Sequence, residues 1–441
     1  MARTGRSVLI APLLLAAAAA AATSFYKGEE FAERRARLLA ETGDAVVAVD
    51  AALFPAEFTY LTGVKSRTAK LIIIPPEVAK KAPDPKAWRT TLYLPERSPR
   101  TGVWDDPALS AKDDTMTPTG IEHSSPESAF PGDLLKVGVI ADTLYLPFRP
   151  VPADPAQLPA DLKLVQQVRI AAPGLEVRNL VPVLDRLRWR KTPAQQEVMR
   201  EACALTAEAF KDAARALKPG LFEYEVDAVV SYAFRRGGAD EAAFLIIGSG
   251  PNSCVLHHMA NDRRIGAGEL VVVDIGALYG QVSTDLTRTL PSSGRFSEEQ
   301  RKVYEVVLKA NMAAIATVRP GATLSDVHEA ARKVIADAGY EKDFIHHACH
   351  PLFGGRSSNP LSFGISLPKG FDPYLQDVPV EPGSVFTIEP GIYIPEKALG
   401  VRIEDDVLVT PDGHEVLTAA APKTIADIEK LMTEAPILIR E

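Results

Sequence analysis

Cysteine is scarce in this chain: 441 residues carry three, at positions 203, 254 and 349. That odd, widely spaced set excludes the disulfide framework of a small secreted domain. A chain of this length predicts two to three domains with ample core, so covalent staples are not needed, and buried thiols, at least one of them free, are the expectation. Positive charge is short as well. The 57 Asp and Glu outnumber the 49 Lys and Arg for a net charge of −8, which does not advertise the basic face that neutralising phosphates requires and argues against nucleic acid as a partner. The leading apolar stretch, Val8 to Ala22, has 15 residues, short of the ~20 of a membrane span. Neither a Gly-x-Ser-x-Gly elbow nor a His-Glu-x-x-His helix occurs, which removes the usual signatures of serine hydrolases and zinc-helix proteases. What remains is ordinary globular composition, 46% hydrophobic and 24% charged, far from that of a disordered chain.

Arg3 and Arg6 precede that apolar run, which ends in alanines before Thr23 and Ser24. Charged, then greasy, then small is the order of a secretory signal, so residues 1–24 are expected to be a removable leader and the protein to be exported, periplasmic or secreted, with no stable membrane span afterwards. Residues 25–183 are expected to form an α/β domain: Leu71–Ile74, Thr91–Leu94 and Val137–Ile140 read as buried strands, followed by a proline-crowded stretch (Pro147, Pro150, Pro152, Pro155, Pro159) that cannot be regular helix.

Residues 184–441 form the second expected domain. Thr192 with Pro193 and Gln195, and Ser297 with Gln300, are helix-start signatures. Both predicted helices end at Pro-Gly, and these sites (Pro219-Gly220, Pro320-Gly321) lie 101 residues apart. A further helix follows each, at Glu225-Val226 and Asp326-Val327, a weak repeat that predicts a duplicated α+β domain.

The chemistry-bearing residues are acids at strand ends. Leu270–Val273 runs into Asp274, and a turn at Tyr279-Gly280-Gln281 returns the chain through Thr284–Thr289, placing Asp274 and Asp285 on neighbouring strands. Ser384–Ile388 runs into Glu389, and Val401–Asp406 carries Arg402 and Glu404 on one face. Singly, each has an ordinary reading: turn chemistry, or ion pairs of Asp285 with Arg288 and Glu404 with Arg402. His346 and His350 lie between the two groups, at a spacing that would share one helical face. Two Asp, two Glu and one His form an oxygen-rich donor set for hard or borderline divalent ions, and four carboxylates balance two such cations.

In order and spacing, Val273-Asp274-Ile275-Gly276, Thr284 through Thr289, His346 through His350, Thr387-Ile388-Glu389-Pro390-Gly391 and Arg402 through Asp406 resemble the aminopeptidase P and prolidase group of pita-bread metallopeptidases. The likeness spans the C-terminal domain and, more loosely, Phe58 through Gly63 and Leu94 through Arg97 with Trp104 in the first. The resemblance implies an α+β chain, a C-terminal pita-bread domain preceded by a smaller α/β domain. It implies two divalent metal ions, manganese first and zinc or cobalt as alternatives, held by Asp274, Asp285, His350, Glu389 and Glu404, with Asp285 and Glu404 bridging. Glu389 would relay protons, His257 and His346 would serve in catalysis and substrate binding, and Arg402 in substrate binding. The implied reaction is release of the N-terminal residue from peptides with proline in second position, by attack of a metal-bridging hydroxide. An Xaa-Pro dipeptidase and a non-catalytic peptide binder on a retired scaffold are the other readings, and a homo-oligomer is expected. Two positions depart from the family pattern: Ser357 stands where a third histidine is usual, and Val282 where an aromatic is common.

Overall fold

The computed structural model describes residues 25–82, 84–85, 88–96, 109–149, 158–354 and 376–435. The leader, Arg97, Trp104, Ser357 and the prolines at 150, 152 and 155 lie outside the described residues.

The first unit is a six-stranded mixed sheet: β1 Val46–Asp50, β2 Lys70–Ile73, β3 Thr91–Leu94, β4 His123–Pro126, β5 Thr143–Leu146 and β6 Glu176–Asn179, in the order β4-β3-β2-β1-β5-β6. Alternation along β1 sends Val47 and Val49 into one apolar layer and Val46 and Ala48 into another, so helices cover both faces. The strand expected at Val137–Ile140 is instead a single 3-10 turn, Val137–Val139, following the helix Phe130–Lys136. Val139 is exposed and Gly138 interrupts the apolar run; the strand forms just downstream, where Thr143–Leu146 pairs with β1. Helix Val181–Trp189 crosses the expected 183/184 boundary, and its Leu184 and Leu187 pack in the first unit's core.

The second unit opens as expected. Thr192 and Ser297 each cap a helix reciprocally with Gln195 and Gln300, giving helices Pro193–Ala216 and Glu298–Thr317. Helices Glu223–Arg236 and Leu324–Asp337 follow the two Pro-Gly turns. Each helix pair then leads into antiparallel strands. The first set is β7 Glu241–Ser249, β8 Leu270–Tyr279, β9 Val282–Ser283 and β10 Leu286–Pro291, with β8 between β7 and β10. Gly280 and Gln281, both at positive φ, make the tight turn from β8 into β9. The second set is β11 Val385–Ile388, β12 Gly391–Ile394, β13 Leu399–Arg402, β14 Asp405–Thr410 and β15 Gly413–Val416, paired as β11-β14-β15 and β12-β13. Helices and strands share one continuous apolar core. All three cysteines are free; Cys203 and Cys349 are buried and Cys254 is half-buried.

The two units are fastened polar group by polar group. Buried Arg34, overlain by Tyr26 and Tyr60, donates to Gln281 Oε1 at 2.9 Å. Arg188, at the end of the boundary helix, pairs with Glu57 at 3.3 Å and donates to the Gly354 carbonyl, and Lys191 Nζ donates to the Leu352 carbonyl. Val282 is buried in the same seam with Tyr26, Phe31 and Leu352.

Candidate metal centre

The acids reach one place through the pairing of β8 with β10 and through the points where β11 and β13 stop. Asp274 lies within β8 opposite Thr287 of β10, and Asp285, two residues before Thr287, therefore projects to the same face of the hairpin. Glu389 directly follows β11, and Glu404 sits in the two-residue break between β13 and β14. The continuous strand read across Val401–Asp406 is thus two strands, and the break frees Glu404 from a ladder.

His346 and His350 are not helical. Residues 348–352 run beside β11, with Glu389 N–H donating to the Ala348 carbonyl at 2.7 Å, Thr387 N–H to His350 at 3.0 Å and Leu352 N–H to Val385 at 3.0 Å. An even spacing keeps two side chains on one side of extended chain as well as of a helix, and the two rings flank Glu389. His350 Nε2 is 3.4 Å from Glu389 Oε1, and His346 Nδ1 is 3.9 Å from Oε2.

Donor atoms of Asp285, His350 and Glu404 all lie within 4.8 Å of one another. Asp274 Oδ2 accepts from Arg402 at 2.6 Å, while Oδ1 is buried with no hydrogen-bond partner among the described residues. Burial first, and then the neighbouring carboxylates, push the acids up: Asp274 to about 6, Glu389 to about 7 and Glu404 well above the ordinary range. His350 is held up, to about 9, by Asp285 and Glu389, which outweigh its burial. Acids crowded together in low dielectric, with an orphaned oxygen aimed nowhere else, are short of cations. This donor set fits divalent ions bound by oxygen and imidazole.

Around the acids is a shell that the sequence did not advertise. Thr287 Oγ1 donates to Glu404 Oε2 at 2.6 Å, and Thr387 Oγ1 donates to Glu389 Oε1 at 3.4 Å. Buried Asn311 donates to the carbonyls of Ile388 and Ile403, at 3.1 and 3.3 Å, fixing the residues just before Glu389 and Glu404. A polar residue interrupting the apolar face of Val303, Val307, Ala310 and Ala314 was the available signal. Tyr393 Oη accepts from Arg402 Nη1 at 2.9 Å and lies 3.0 Å from His346 Nε2. His346 Nδ1, 2.9 Å from the His347 carbonyl, carries the ring proton, so in the neutral ring Nε2 is the acceptor and Tyr393 the donor to it. Burial, and next the Arg402 charge, hold that imidazole down to about 3.

Arg402 commits its guanidinium to Asp274, Tyr393, Thr287 and the Leu256 carbonyl. Of the ordinary ion pairs considered for the acids, Arg288 bonds Asp405 at 2.7 Å rather than Asp285, and Arg402 bonds Asp274 rather than Glu404. His257 is exposed, on the loop that follows β7; partial burial and then Arg402 lower its pKa, while Asp285 opposes them, so the ring lies within the field of the centre.

Metallopeptidase family M24 matches residues 197–411. The Xaa-Pro aminopeptidase of Haemophilus influenzae is 34% identical over 58% of this chain and 64% of its own length, so the chain spans a little less than two thirds of that relative. Mouse Xaa-Pro aminopeptidase 3 is 32% identical over 85% of this chain and 75% of its own. The Xaa-Pro dipeptidase of Pyrococcus furiosus is 38% identical over 55% of this chain and 67% of its own. Among solved structures, Pseudomonas aeruginosa aminopeptidase PepP superposes at TM-score 0.78 with 30% identity, covering 92% of this chain and 98% of that one. Zinc-substituted Escherichia coli aminopeptidase P with bound product gives 0.75 and 26%, with the same coverage.

Proposed function

The chain belongs to metallopeptidase family M24, and from that premise we propose that it is an exopeptidase releasing the N-terminal residue from peptides with proline in second position. Asp274, Asp285, His350, Glu389 and Glu404 would hold two divalent ions, manganese first, with zinc or cobalt as alternatives. When bound, such ions supply Lewis acidity toward a carbonyl oxygen and a water of lowered pKa. The observation that carries the reading is the convergence of Asp285, His350 and Glu404 donors within 4.8 Å, beside a buried Asp274 oxygen with no hydrogen-bond partner among the described residues.

The protein's own groups divide the remaining work. Glu389 Oε1 takes a proton from the attacking water and returns it to the departing proline nitrogen. His346, kept neutral and oriented by Tyr393, lies beside Glu389 and lines the path of the scissile bond. His257 contacts the substrate from the opposite loop. Arg402 holds Asp274 and Tyr393 in place and borders the substrate site.

Hydrolysis of Ala-Pro and Ala-Pro-Ala, with and without manganese and with bound metal quantified, tests the reading. Manganese-dependent release of alanine from the tripeptide is expected. The dipeptidase reading is favoured by the identity to the Pyrococcus protein; cleavage of the dipeptide alone selects it. Metal binding without either cleavage points to another substrate, and neither metal nor cleavage sinks the peptidase reading in favour of a retired scaffold. Export and homo-oligomer formation belong to the same proposal, checked by N-terminal sequencing of the exported protein and by light scattering.

A further inference from the structure

The loop between β7 and β8 presents two adjacent histidines, and their surroundings differ. Along it the exposure alternates: Val255, His257 and Met259 face outward, while Leu256 and His258 turn inward. With Val255 and Met259 exposed, the tip has little apolar packing to order it, and a loop held so weakly samples many conformations unless polar bonds select one.

Those bonds sit on both sides of His257. On one side, Arg402 Nη2 donates to the Leu256 carbonyl at 3.4 Å. On the other, His258 Nε2 lies 2.9 Å from Glu223 Oε2. Glu223, the first residue of its helix, is buried and also accepts from Ser249 N and Oγ at 2.7 Å, from Asn252 Nδ2 at 3.1 Å and from Arg263 N at 3.0 Å. One carboxylate therefore gathers the start, middle and end of the loop. Its base is pressed onto β13, where Ser253 Oγ receives the Gly400 N–H at 2.8 Å; a Cβ at Gly400 would come within 2.0 Å of the Ser253 carbonyl. Donors of Glu223, His258 and Asp262 also lie within 4.8 Å of one another. The Glu223 oxygens, however, are already filled by N–H and O–H donors, so a cation there would have to displace them.

We propose that Glu223 and His258 are positioning residues: they latch the loop so that the His257 ring is aimed at the carboxylate centre. The role rests on the peptidase reading above, in which His257 meets the substrate. It separates the two histidines, one anchored and the other presented.

A double-mutant cycle tests it. In the metal-loaded protein, His258→Leu should lower kcat/KM on Ala-Pro-Ala about 10-fold or more with metal content unchanged. The same change in a His257→Ala background should lower it less than about 2-fold, because the latch acts through His257. His258→Gln, which keeps an amide donor for Glu223, should recover most of the activity, and Glu223→Gln repeats the cut if the leucine variant fails to fold. Equal losses in both backgrounds, or no loss in either, overturn the proposal. Amide hydrogen exchange reads the latch independently of turnover: residues 255–260 should exchange about 10-fold faster in His258→Leu, with the rest of the chain unaffected. Faster exchange in a protein that cleaves no Xaa-Pro peptide would refute the peptidase reading and keep the latch. Unchanged exchange would refute the latch whatever the turnover.

Discussion

Glu404 and Asp405 are neighbours in the chain and equally buried, at 1% and 0% exposure, yet their carboxyls behave in opposite ways. Asp405 is enclosed by Arg288 and Lys423, each at 2.7 Å, with Thr418 donating at 2.8 Å, and these cations hold it well below the ordinary carboxylate range despite its burial. Glu404 receives one hydroxyl, from Thr287, and looks onto Asp285, Glu389 and Asp274, so burial and then repulsion push it far up. One acid belongs to a structural ion network complete in protein atoms. The other belongs to a region where the chain gathers negative charge and leaves its neutralisation to something from outside. Burial alone does not mark a functional acid; the deficit of counter-charge does.

Neutralising each neighbour in turn should have opposite consequences. Glu404→Gln should abolish metal binding and lower turnover by about 10³-fold or more, measured by metal analysis alongside peptide hydrolysis. The metal-free variant should unfold at the same or a higher Tm than the metal-free parent, since a repelled charge has gone. Normal turnover without metal would remove the two-ion scheme. Asp405→Ala should do the reverse. It leaves Arg288 and Lys423 unpaired in the interior, for a loss of about 3–5 kcal/mol in urea unfolding.

The pH dependence sharpens the contrast. In the metal-free protein the folded-state pKa values of Asp274, Glu389 and His350 are all raised, to about 6, 7 and 9 from 3.8, 4.5 and 6.5. A raised folded pKa gives stability that is present below the unfolded value and is lost as pH rises through the folded one. Metal-stripped protein should therefore lose about 1–3 kcal/mol between pH 5 and 8, and the rise in Tm on adding manganese should be larger at pH 8 than at pH 5. Asp405, whose pKa is lowered, acts in the opposite sense: its stabilisation is fully present above 3.8 and is lost only as pH falls below that value, outside that window. A flat stability profile in chelator would contradict the deficit. The smallest effect is expected from a solvent-exposed ion pair: Lys65→Ala removes the bond to Asp240, whose partners are 70% and 43% exposed, and should change stability by less than about 0.5 kcal/mol in the same assay.

The parts legible in the sequence are those whose cause is local. Thr192 and Ser297 announce their helices because capping involves only the next three residues. Asp274, Asp285, Glu389 and Glu404 could be picked out because ligand chemistry demands particular residue types, although Asp274, read as the end of its apolar run, lies inside β8, which continues to Tyr279. What stayed hidden depends on distant partners. Tyr393 looks like one more core aromatic until Arg402 and His346 meet its hydroxyl. The spacing of His346 and His350 suits helix and extended chain alike, and only the hydrogen bonds to β11 decide between them. Val137–Ile140 has β-branched composition, but strand formation depends on a partner edge, and β1 takes Thr143–Leu146 instead.

The bonds from Arg188 and Lys191 to the Gly354 and Leu352 carbonyls make the boundary helix a splint for the chain that has just presented His350. A catalytic half excised from 184 would sever that helix midway and keep the two basic residues without the core that orients them. The ligand strand would keep its pairing with β11 and the contacts of Ala348 and Cys349 with helix Leu324–Asp337, but lose the orientation of the two cations that hold its far end. A substitution in the first unit's core that shifts this helix would thereby reach the geometry of the centre.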